Sequence, residues 1–487
     1  MVISTPTLWI HGKAVIGQGR EIENIDPALD DVLNTYTTAS ATQIDQAVMA
    51  ASDAQKKWAE LPIAERANIL YRTAALIDTH QEALALLEVK DTGKPIRDVV
   101  KDDLPSAAEA LRYFAKASVT LSGQSNHTGS DHFFYTRPEP LGVCGVIGAW
   151  NYPLQIACWK AAPALITGNA LLYKPAELTP TSAVVLGQLF QEAGLPANLY
   201  QVLLGDAQVG QALVDHSGIT KLSLTGSVET GQRVAASAGQ SLKKVSLELG
   251  GKSPMIVLPD CDLQQAVIGA LWGNYYAQGE ICSNGTRVFV HHSVLEAFIT
   301  QLTTALKSIR IGLPQCLSTH MGSLISRTHR DRVLHAIQQA KNEGAECLFG
   351  GHIPAEFCDK GAFIEPTLFL CNTDSLQIVQ TEVFGPVLCI LPFTDEEEVI
   401  TRANDSPYGL AAGIYTQNLM QAHRIAAQLQ AGTCWINAYN VYPQGMPFGG
   451  YKKSGIGREN ALTTLSEYTQ NKSIYVAMKP MEHPFVC

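Results

Sequence analysis

The sequence predicts an α/β protein that combines a doubly wound parallel sheet, a second α/β domain and a small β element. Between residues 142 and 249, short β-rich runs alternate with helical runs, which is the pattern of βαβ crossovers in a parallel sheet. The same alternation restarts near residue 254 and continues past residue 410. At 487 residues the chain is too long for one ordinary domain, so the restart predicts a second one.

The N-terminal part is predicted to be helical between residues 40 and 120. Thr42 and Asp45 suggest a capping box before apolar residues that recur every three or four positions. Residues 122–140 are polar, then aromatic, then bounded by prolines, which predicts a hairpin outside the main body. A further strand is predicted at 473–477.

The central region supplies the doubly wound sheet. Its predicted strands are 142–150, 170–174, 199–204, 219–224 and 244–249, and its predicted helices are 153–167, 180–193, 207–215 and 228–238. Because ligands of such sheets bind beyond the carboxyl ends of the strands, polar residues at those ends are candidate site residues.

Composition excludes several classes of protein. The net charge is −10, which disfavours binding to nucleic acid or to an anionic membrane. No apolar stretch approaches the ~18 residues of a membrane span, and Met1–Lys13 lacks the pattern of a secretion signal. The 11 cysteines include no C-x-x-C pair, which predicts free thiols in a reducing, cytoplasmic compartment.

Cys282 is the strongest candidate nucleophile. It lies in the polar, glycine-rich run from Gln278 to Arg287, which argues against burial. We expect a loop-to-helix junction there, where a helix N-terminus would lower the pKa of the thiol. The alternative is one more small buried apolar residue.

Glu248 and Asn151 follow two of the predicted strands. Glu248 precedes two glycines and suits a general base with a raised pKa, or else it is a solvated turn residue. The Asn151 amide could donate to a developing oxyanion, although its spacing alone favours an Asx turn or a helix N-cap.

Two further strand ends suggest a nucleotide site. Lys174 and Glu177 could hold the hydroxyls of a ribose, or form a surface ion pair of little consequence. Gly226 and Ser227 open a helix whose N-terminus suits a phosphate. The glycine pattern G-x-G-x-x-G is absent, so the usual dinucleotide fingerprint does not support this assignment.

Together these segments resemble the aldehyde dehydrogenase superfamily over essentially the whole chain, and most closely its bacterial betaine aldehyde dehydrogenases. The segments that carry the resemblance are GAWNYP (148–153), KPAE (174–177), TGSVETG (225–231), LELGGKSP (247–254), GEICSNGTR (279–287), EVFGPV (382–387) and PFGGYKKSGIGRE (447–459).

The resemblance implies three structural units and an oligomer. Residues 1–123 and 142–247 would form the NAD-binding domain, residues 248–460 the catalytic domain, and residues 124–141 with 461–487 an oligomerisation element. The assembly implied is a homodimer or a homotetramer built as a dimer of dimers.

The resemblance also implies a mechanism. Cys282 attacks the aldehyde, Asn151 and the Cys282 backbone amide hold the oxyanion, and Glu248 activates water to hydrolyse the resulting thioester. Lys160 and Glu459 resemble a charge relay behind this base. The implied cofactor residues are Gly148, Ala149, Trp150, Lys174, Glu177, Gly226, Ser227, Thr230, Gly250 and Glu382. The cofactor implied is NAD, with NADP also used in the subfamily. Implied potassium sites comprise Asn24, Ile25, Asp91 and Leu178, and Leu242, Lys452 and Gly455.

The implied substrate is betaine aldehyde, whose trimethylammonium group suits a cage of aromatic faces. The corresponding positions are Tyr152, Trp159, Tyr276 and Phe448, and Thr433 would leave room for the cation. Phe448 stands where tryptophan is common, and residues 440–443 depart from the expected loop.

Four other functions stay open. The nearest is oxidation of 4-aminobutyraldehyde or 4-trimethylaminobutyraldehyde, and a second is oxidation of aliphatic aldehydes in general. A CoA-acylating dehydrogenase would use a thiol in place of water, and Glu248 argues against it. A binding or structural protein that has lost activity is disfavoured by the presence of Cys282, Glu248 and Asn151 together.

Overall fold

The computed structural model describes residues 6–481, 484 and 485. Residues 1–5, part of the segment predicted to lack a secretion signal and of the predicted NAD-binding domain, lie outside the described residues. So do residues 482, 483, 486 and 487 of the predicted oligomerisation element.

The strands of the described chain are β1 (Leu8–Ile10), β2 (Lys13–Val15), β3 (Glu21–Ile25), β4 (Val32–Thr37), β5 (Ser125–His127), β6 (His132–Pro140), β7 (Val143–Ile147), β8 (Ala170–Lys174), β9 (Tyr200–Val202), β10 (Lys221–Gly226), β11 (Lys244–Leu249), β12 (Pro254–Val257), β13 (Arg287–His291), β14 (Glu346–Phe349), β15 (Thr367–Leu370), β16 (Val387–Phe393), β17 (Ala411–Tyr415), β18 (Thr433–Ile436), β19 (Gly455–Ile456) and β20 (Thr469–Ala477). The α-helices are α1 (Ala41–Glu60), α2 (Ile63–Thr79), α3 (Gln81–Thr92), α4 (Ile96–Asp98), α5 (Leu104–Ala117), α6 (Pro153–Ile166), α7 (Thr181–Glu192), α8 (Ala207–Asp215), α9 (Val228–Gln240), α10 (Leu263–Trp272), α11 (Leu295–Leu306), α12 (Arg327–Asn342), α13 (Gln377–Gln380), α14 (Glu396–Asn404), α15 (Leu419–Ala426) and α16 (Thr463–Glu467).

The first sheet is doubly wound, as the sequence predicts. Its order is β19-β11-β10-β7-β8-β9-β1-β2, and the five strands from β11 to β9 are parallel. Strands β8 and β9 are added on one side of β7, and β10 and β11 on the other. Ligands of such folds bind where the strand order reverses in this way, here between β7 and β10. Strand β11 itself spans the predicted domain boundary at residues 247 and 248, and the domain limits remain predictions.

The second sheet confirms a second α/β layer. Its order is β14-β15-β16-β13-β12-β17-β18, parallel except for β14. Apolar side chains pack on both of its faces and bury Phe289, Phe369 and Val288 completely.

The N-terminal helices α1–α5 confirm the helical prediction, but the predicted cap is wrong. The capping box that begins α1 joins Ser40 and Gln43, each side chain bonding the other's backbone amide. Ser40 lies one residue before the first helical residue, where a cap is needed, whereas Thr42 and Asp45 already lie within the helix.

The hairpin predicted at 122–140 consists of β5 and β6, which form a three-stranded antiparallel sheet with β20. Strand β20 begins at Thr469, four residues before the predicted strand. Residues 125–140 and 469–477, separated by more than 300 positions, therefore form one structural unit.

Candidate active site

A cavity of about 1040 Å³ lies beyond the carboxyl ends of β7, β10 and β11. The first sheet contributes Asn151, Ser227 and Glu248 to its wall, and the second domain contributes Cys282 and Glu382. The three residues predicted to carry the reaction thus line one cavity.

Cys282 lies in the turn between Gly279 and β13, and the helix predicted to follow it is absent. The expected lowering of its pKa is wrong as well. Burial raises the pKa of the thiol above its usual value, and the nearby carboxylates of Glu248 and Glu382 add to this effect, while the backbone amides of Cys282 and Ser283 oppose it. A thiolate at Cys282 therefore needs help from bound ligands or from a base.

Asn151 follows β7 and is buried beside the nucleophile turn. Its Nδ2 donates to the carbonyl of Glu280 at 2.9 Å, two residues before Cys282. One N–H is thereby fixed, and the second remains available for an oxyanion that develops at Cys282.

Glu248, at the end of β11, has the environment of a general base. Both of its carboxylate oxygens are buried, with no hydrogen-bond partner among the described residues. Burial raises its pKa well above the usual value, the charge of Glu459 raises it further, and Lys160 opposes the shift. A raised pKa makes the ionised side chain a stronger base towards water than an ordinary glutamate.

Lys160 and Glu459 lie behind this base. The fully buried Lys160 Nζ donates to Glu459 Oε1 at 2.6 Å and to Ser223 Oγ at 2.9 Å. Glu459 lines the same cavity as Glu248. The pair predicted from the resemblance thus connects the cavity to a buried ammonium.

The residues predicted to bind the cofactor fit a dinucleotide. Ser227 caps α9 by accepting a hydrogen bond from the Thr230 amide, so the N-terminus of a 13-residue helix borders the cavity. A Cβ at Gly250 would lie 1.9 Å from Glu382 Oε2, and the Gly251 amide donates to Glu382 Oε1 at 3.0 Å. A carboxylate is thereby held at the cavity wall, and burial raises its pKa to about 7.

The remaining cofactor positions surround the end of β7. Gly148, whose Cβ would collide with the Tyr173 hydroxyl, precedes Ala149 and Trp150 on the cavity wall. Lys174 Nζ lies 3.8 Å from Glu177 Oε2, and this glutamate is half exposed. Lys174 and Glu177 lie outside the cavity wall, at the end of the neighbouring strand β8.

The four predicted aromatic positions line the cavity. Tyr152, Trp159, Tyr276 and Phe448 all contribute to its wall, and the rings of Trp159 and Phe448 meet edge to face at 6.1 Å. Thr433 lies instead within β18, buried and away from the cavity wall. That its small side chain leaves room for the cation stays a prediction.

Sequence reasoning missed Trp272 and Tyr442 in the cavity wall, and Lys94 behind it. Trp272 lies 4.4 Å from the ring of Tyr276, and Tyr442 meets Phe448 edge to face at 5.2 Å. Lys94 Nζ, ion-paired with Asp103, lies 3.9 Å from the centre of the Tyr152 ring. Lys94 is distant in sequence from every motif of the site, so no local signal identified it.

The predicted potassium ligands fall into two places. Asn24 and Asp91 are joined by a 2.8 Å hydrogen bond, and the buried Asn24 Oδ1 has no partner among the described residues. Leu242 is almost fully exposed after α9, while Lys452 and Gly455 flank the short turn before β19. Within the described residues, no cluster of three or more His, Cys, Asp or Glu side chains suits a metal ion.

The structure bears on the predicted free thiols and on the predicted lack of a membrane span, for the described residues only. In the portion of the chain that the structure describes, all cysteines are free thiols, and no helix is long and apolar enough to cross a membrane. Cys487 lies outside the described residues.

Comparison with known proteins agrees with this geometry. Residues 15–474 match the model of the aldehyde dehydrogenase family. Betaine aldehyde dehydrogenase from Brucella canis is 49% identical over 468 residues, covering 96% of each chain, and its namesake from Vibrio vulnificus is 46% identical over 98% of this chain and 99% of its own. The NAD⁺ complex of an aldehyde dehydrogenase from Bacillus cereus superposes with a TM-score of 0.95 at 43% identity, covering 98% of this chain and 97% of that one.

The resemblance stated from sequence motifs is thereby confirmed over the full length, together with the fold class that it implied. The chain belongs to the aldehyde dehydrogenase family, whose members oxidise aldehydes with a nicotinamide dinucleotide.

Proposed function

We propose that this enzyme oxidises betaine aldehyde to glycine betaine with NAD, the second step from choline to an osmoprotectant. The observation that carries the proposal is the set of four aromatic side chains in the cavity that holds Cys282. A quaternary ammonium offers no hydrogen-bond donor, and aromatic faces are the groups that bind it best. The names of the relatives from Brucella and Vibrio support the same substrate.

The first half of the reaction uses Cys282 and Asn151. The thiolate adds to the aldehyde carbon, and the negative oxygen of the resulting thiohemiacetal accepts hydrogen bonds from Asn151 Nδ2 and the Cys282 amide. The chemistry that NAD supplies when bound is the acceptance of a hydride from this carbon.

The second half uses Glu248. Its carboxylate takes a proton from a water molecule, which attacks the thioester and releases the carboxylic acid with the Cys282 thiolate as leaving group. Glu459 and Lys160 lie behind this base, where the fixed ammonium favours the ionised form of Glu248.

The preference for NAD is proposed from Glu177. Its carboxylate, paired with Lys174, would repel the 2′-phosphate of NADP, although NADP could still serve more weakly. We expect Glu177→Ser to raise the ratio of kcat/KM for NADP to that for NAD by about ten-fold. Steady-state kinetics with both cofactors measures this ratio, and an unchanged ratio would remove Glu177 from the argument.

We also propose that the enzyme binds a potassium ion, assembles into dimers or tetramers and is located in the cytoplasm. The unpartnered Asn24 Oδ1 beside the buried Asp91 supports an ion between these residues and the carbonyls of Ile25 and Leu178. The exposed Tyr475 and the edge strand β5 support assembly into dimers or tetramers through the three-stranded sheet. The free thiols support a cytoplasmic location.

The substrate is tested with betaine aldehyde beside its neutral isostere, 3,3-dimethylbutanal. A desolvated cation–π cage contributes about 1–2 kcal/mol, so kcat/KM should favour the cation by about ten-fold or more. Equal use of the isostere would contradict the cage and leave a general aliphatic aldehyde dehydrogenase. An assay for an acyl-CoA product tests the CoA-acylating alternative. Formation of this product would support transfer of the acyl group to a thiol, and its absence would exclude it.

Oxidation of 4-aminobutyraldehyde is the second candidate, and one observation favours it. The carboxylate of Asp102 lines the cavity and accepts a hydrogen bond from the Tyr276 hydroxyl. A carboxylate can bind a primary ammonium through charge-assisted hydrogen bonds, which a trimethylammonium cannot form. A higher kcat/KM for 4-aminobutyraldehyde than for betaine aldehyde would assign the enzyme to aminoaldehydes.

A further inference from the structure

The turn that carries Cys282 is held by a segment more than 150 residues further along the chain, Tyr439–Tyr442. The Tyr439 hydroxyl donates to the carbonyl of Ser283 at 3.1 Å. A Cβ at Gly285 would lie 2.6 Å from the same hydroxyl, so the segment and the turn are in close contact.

Asn440 is the centre of this contact, and both ends of its side-chain amide are used. Its Oδ1 accepts hydrogen bonds from Ser283 Oγ at 2.8 Å and from the Tyr442 hydroxyl at 2.7 Å. Its Nδ2 donates to the carbonyl of Trp272 at 3.0 Å and to Asn284 Oδ1 at 3.1 Å. Asn440 has φ = +53°, a left-handed conformation that asparagine tolerates better than most residues.

The network continues to the other side of the nucleophile. Asn284 Nδ2 donates to the carbonyl of Gly279 at 2.9 Å. Asn440 is thus linked to the residues that flank Cys282: Ser283 and Asn284 after it, and Gly279 before it. The backbone amides of Cys282 and Ser283, in this same turn, face the sulfur.

We propose that Asn440 is a positioning residue for the oxidation of aldehydes, which fixes the turn 279–284 so that Cys282 and its amide face Asn151. The proposal rests on the thiol chemistry proposed above, but it does not depend on which aldehyde is preferred. Asn440 acts through Ser283 and Asn284, and the bond-forming step belongs to Cys282.

The test compares Asn440→Gly with Asn198→Gly. Glycine accepts the left-handed backbone, so the first variant removes the amide without adding strain. Asn198 has φ = +72°, lies outside the cavity wall and bonds His11, and it therefore supplies the same replacement in a different place. The measurement is the rate constant of the NADH burst, with propionaldehyde and with betaine aldehyde, together with KM for NAD and the melting temperature.

We expect Asn440→Gly to slow the burst at least about ten-fold with both aldehydes, while KM for NAD changes less than about two-fold and Asn198→Gly keeps the wild-type burst. A burst within about two-fold of wild type in Asn440→Gly would overturn the proposal. So would an equal loss in Asn198→Gly, because the effect would then be one of general stability. Failure of wild type to use betaine aldehyde would count against the substrate proposal alone, since the propionaldehyde arm still measures the burst.

If Asn440→Gly does not fold, the variants Ser283→Ala and Tyr442→Phe test the positioning role of Asn440. Each removes one hydrogen-bond donor to Asn440 Oδ1 while keeping most of the side-chain volume. A slowing of about three-fold or more in both variants supports the positioning role, and wild-type burst rates in both overturn it.

Discussion

Glu248 and Cys282 line the same cavity, and burial raises the pKa of both groups. The ionised form that each needs for the reaction is therefore disfavoured. For the carboxyl, a raised pKa means that it stays protonated, and so unable to act as a base, up to a higher pH than an ordinary glutamate does. Its ionisation increases as pH rises, so turnover that is limited by hydrolysis increases with pH as well. Burial of these two groups therefore predicts that activity rises with pH over a range above that of an ordinary glutamate.

Replacing the base separates the two halves of the reaction. We expect Glu248→Gln to lower steady-state turnover by about 10²–10⁴-fold, because water is no longer activated. The burst of NADH should persist, because thiohemiacetal formation uses Cys282 and Asn151. Rapid mixing with betaine aldehyde measures both phases, and loss of the burst together with turnover would mean that Glu248 also activates the thiol.

Lys160 should set the pH dependence of this base. Its ammonium, 2.6 Å from Glu459, lowers the pKa of Glu248 against the effect of burial. Lys160→Met removes that charge and leaves the negative charge of Glu459 uncompensated, and both changes raise the pKa of Glu248 further. We expect the rise of kcat with pH to move to higher pH, and a shift to lower pH would contradict the assignment.

Motifs identified Cys282, Glu248 and Asn151 correctly as cavity residues, but they could not supply the environment of each side chain. The expected helix dipole at Cys282 is absent because β13 follows the turn. Asn440 and Tyr442 contact the nucleophile turn, and Lys94 packs behind Tyr152, only through the tertiary fold. The motif at 447–459 places the first two near the site but does not predict these contacts.

The elements of the first sheet were predicted closely, because each strand lies between helices with clear apolar periodicity. Predicted and observed limits coincide for β8, α8 and β11. Errors occur where a boundary depends on one hydrogen bond, as at the Ser40 cap of α1. They also occur where a strand depends on a distant partner, as in β20, which pairs with β6.

The turn before the nucleophile depends on left-handed backbone. Ala277, Gln278 and Gly279 have φ of 45°, 55° and 74°, and a Cβ at Gly279 would lie 2.4 Å from backbone atoms of Gly385. We expect Gly279→Ala to abolish most activity and to destabilise the fold by at least about 1–2 kcal/mol, since both the backbone and the space exclude a side chain.

Gly239→Ala provides the matched control for that substitution. Gly239 lies in α9, where an added Cβ would meet nothing within 4 Å. Removal of a helical glycine there should stabilise the protein by about 0.5–1 kcal/mol and leave turnover unchanged. Denaturant titration measures the stability of the two variants, and the rate of NADH formation measures their turnover. Equal destabilisation by the two variants would contradict the role given to the turn.

In the described part of the chain, the three-stranded antiparallel sheet of β5, β6 and β20 is separate from the two α/β sheets. Tyr475 on β20 is 63% exposed, and Tyr135 on β6 is 37% exposed. If the proposed assembly buries this sheet, Tyr475→Asp should weaken it, because a charge placed in the interface must be desolvated. Light scattering over a range of protein concentrations measures the mass, and a mass equal to that of wild type at every concentration would place the interface elsewhere.

The lysine behind Tyr152 has a consequence for which cations the enzyme can prefer. An aromatic ring has two faces, and the ammonium of Lys94, 3.9 Å from the centre of this ring, already occupies one of them. A second positive charge on the opposite face gains less from the shared π electrons and is repelled by the first, even with Asp103 beside it. The selectivity for cations that we propose for this cavity would therefore depend mainly on Trp159, Tyr276 and Phe448, and we expect Tyr152 to contribute least to it.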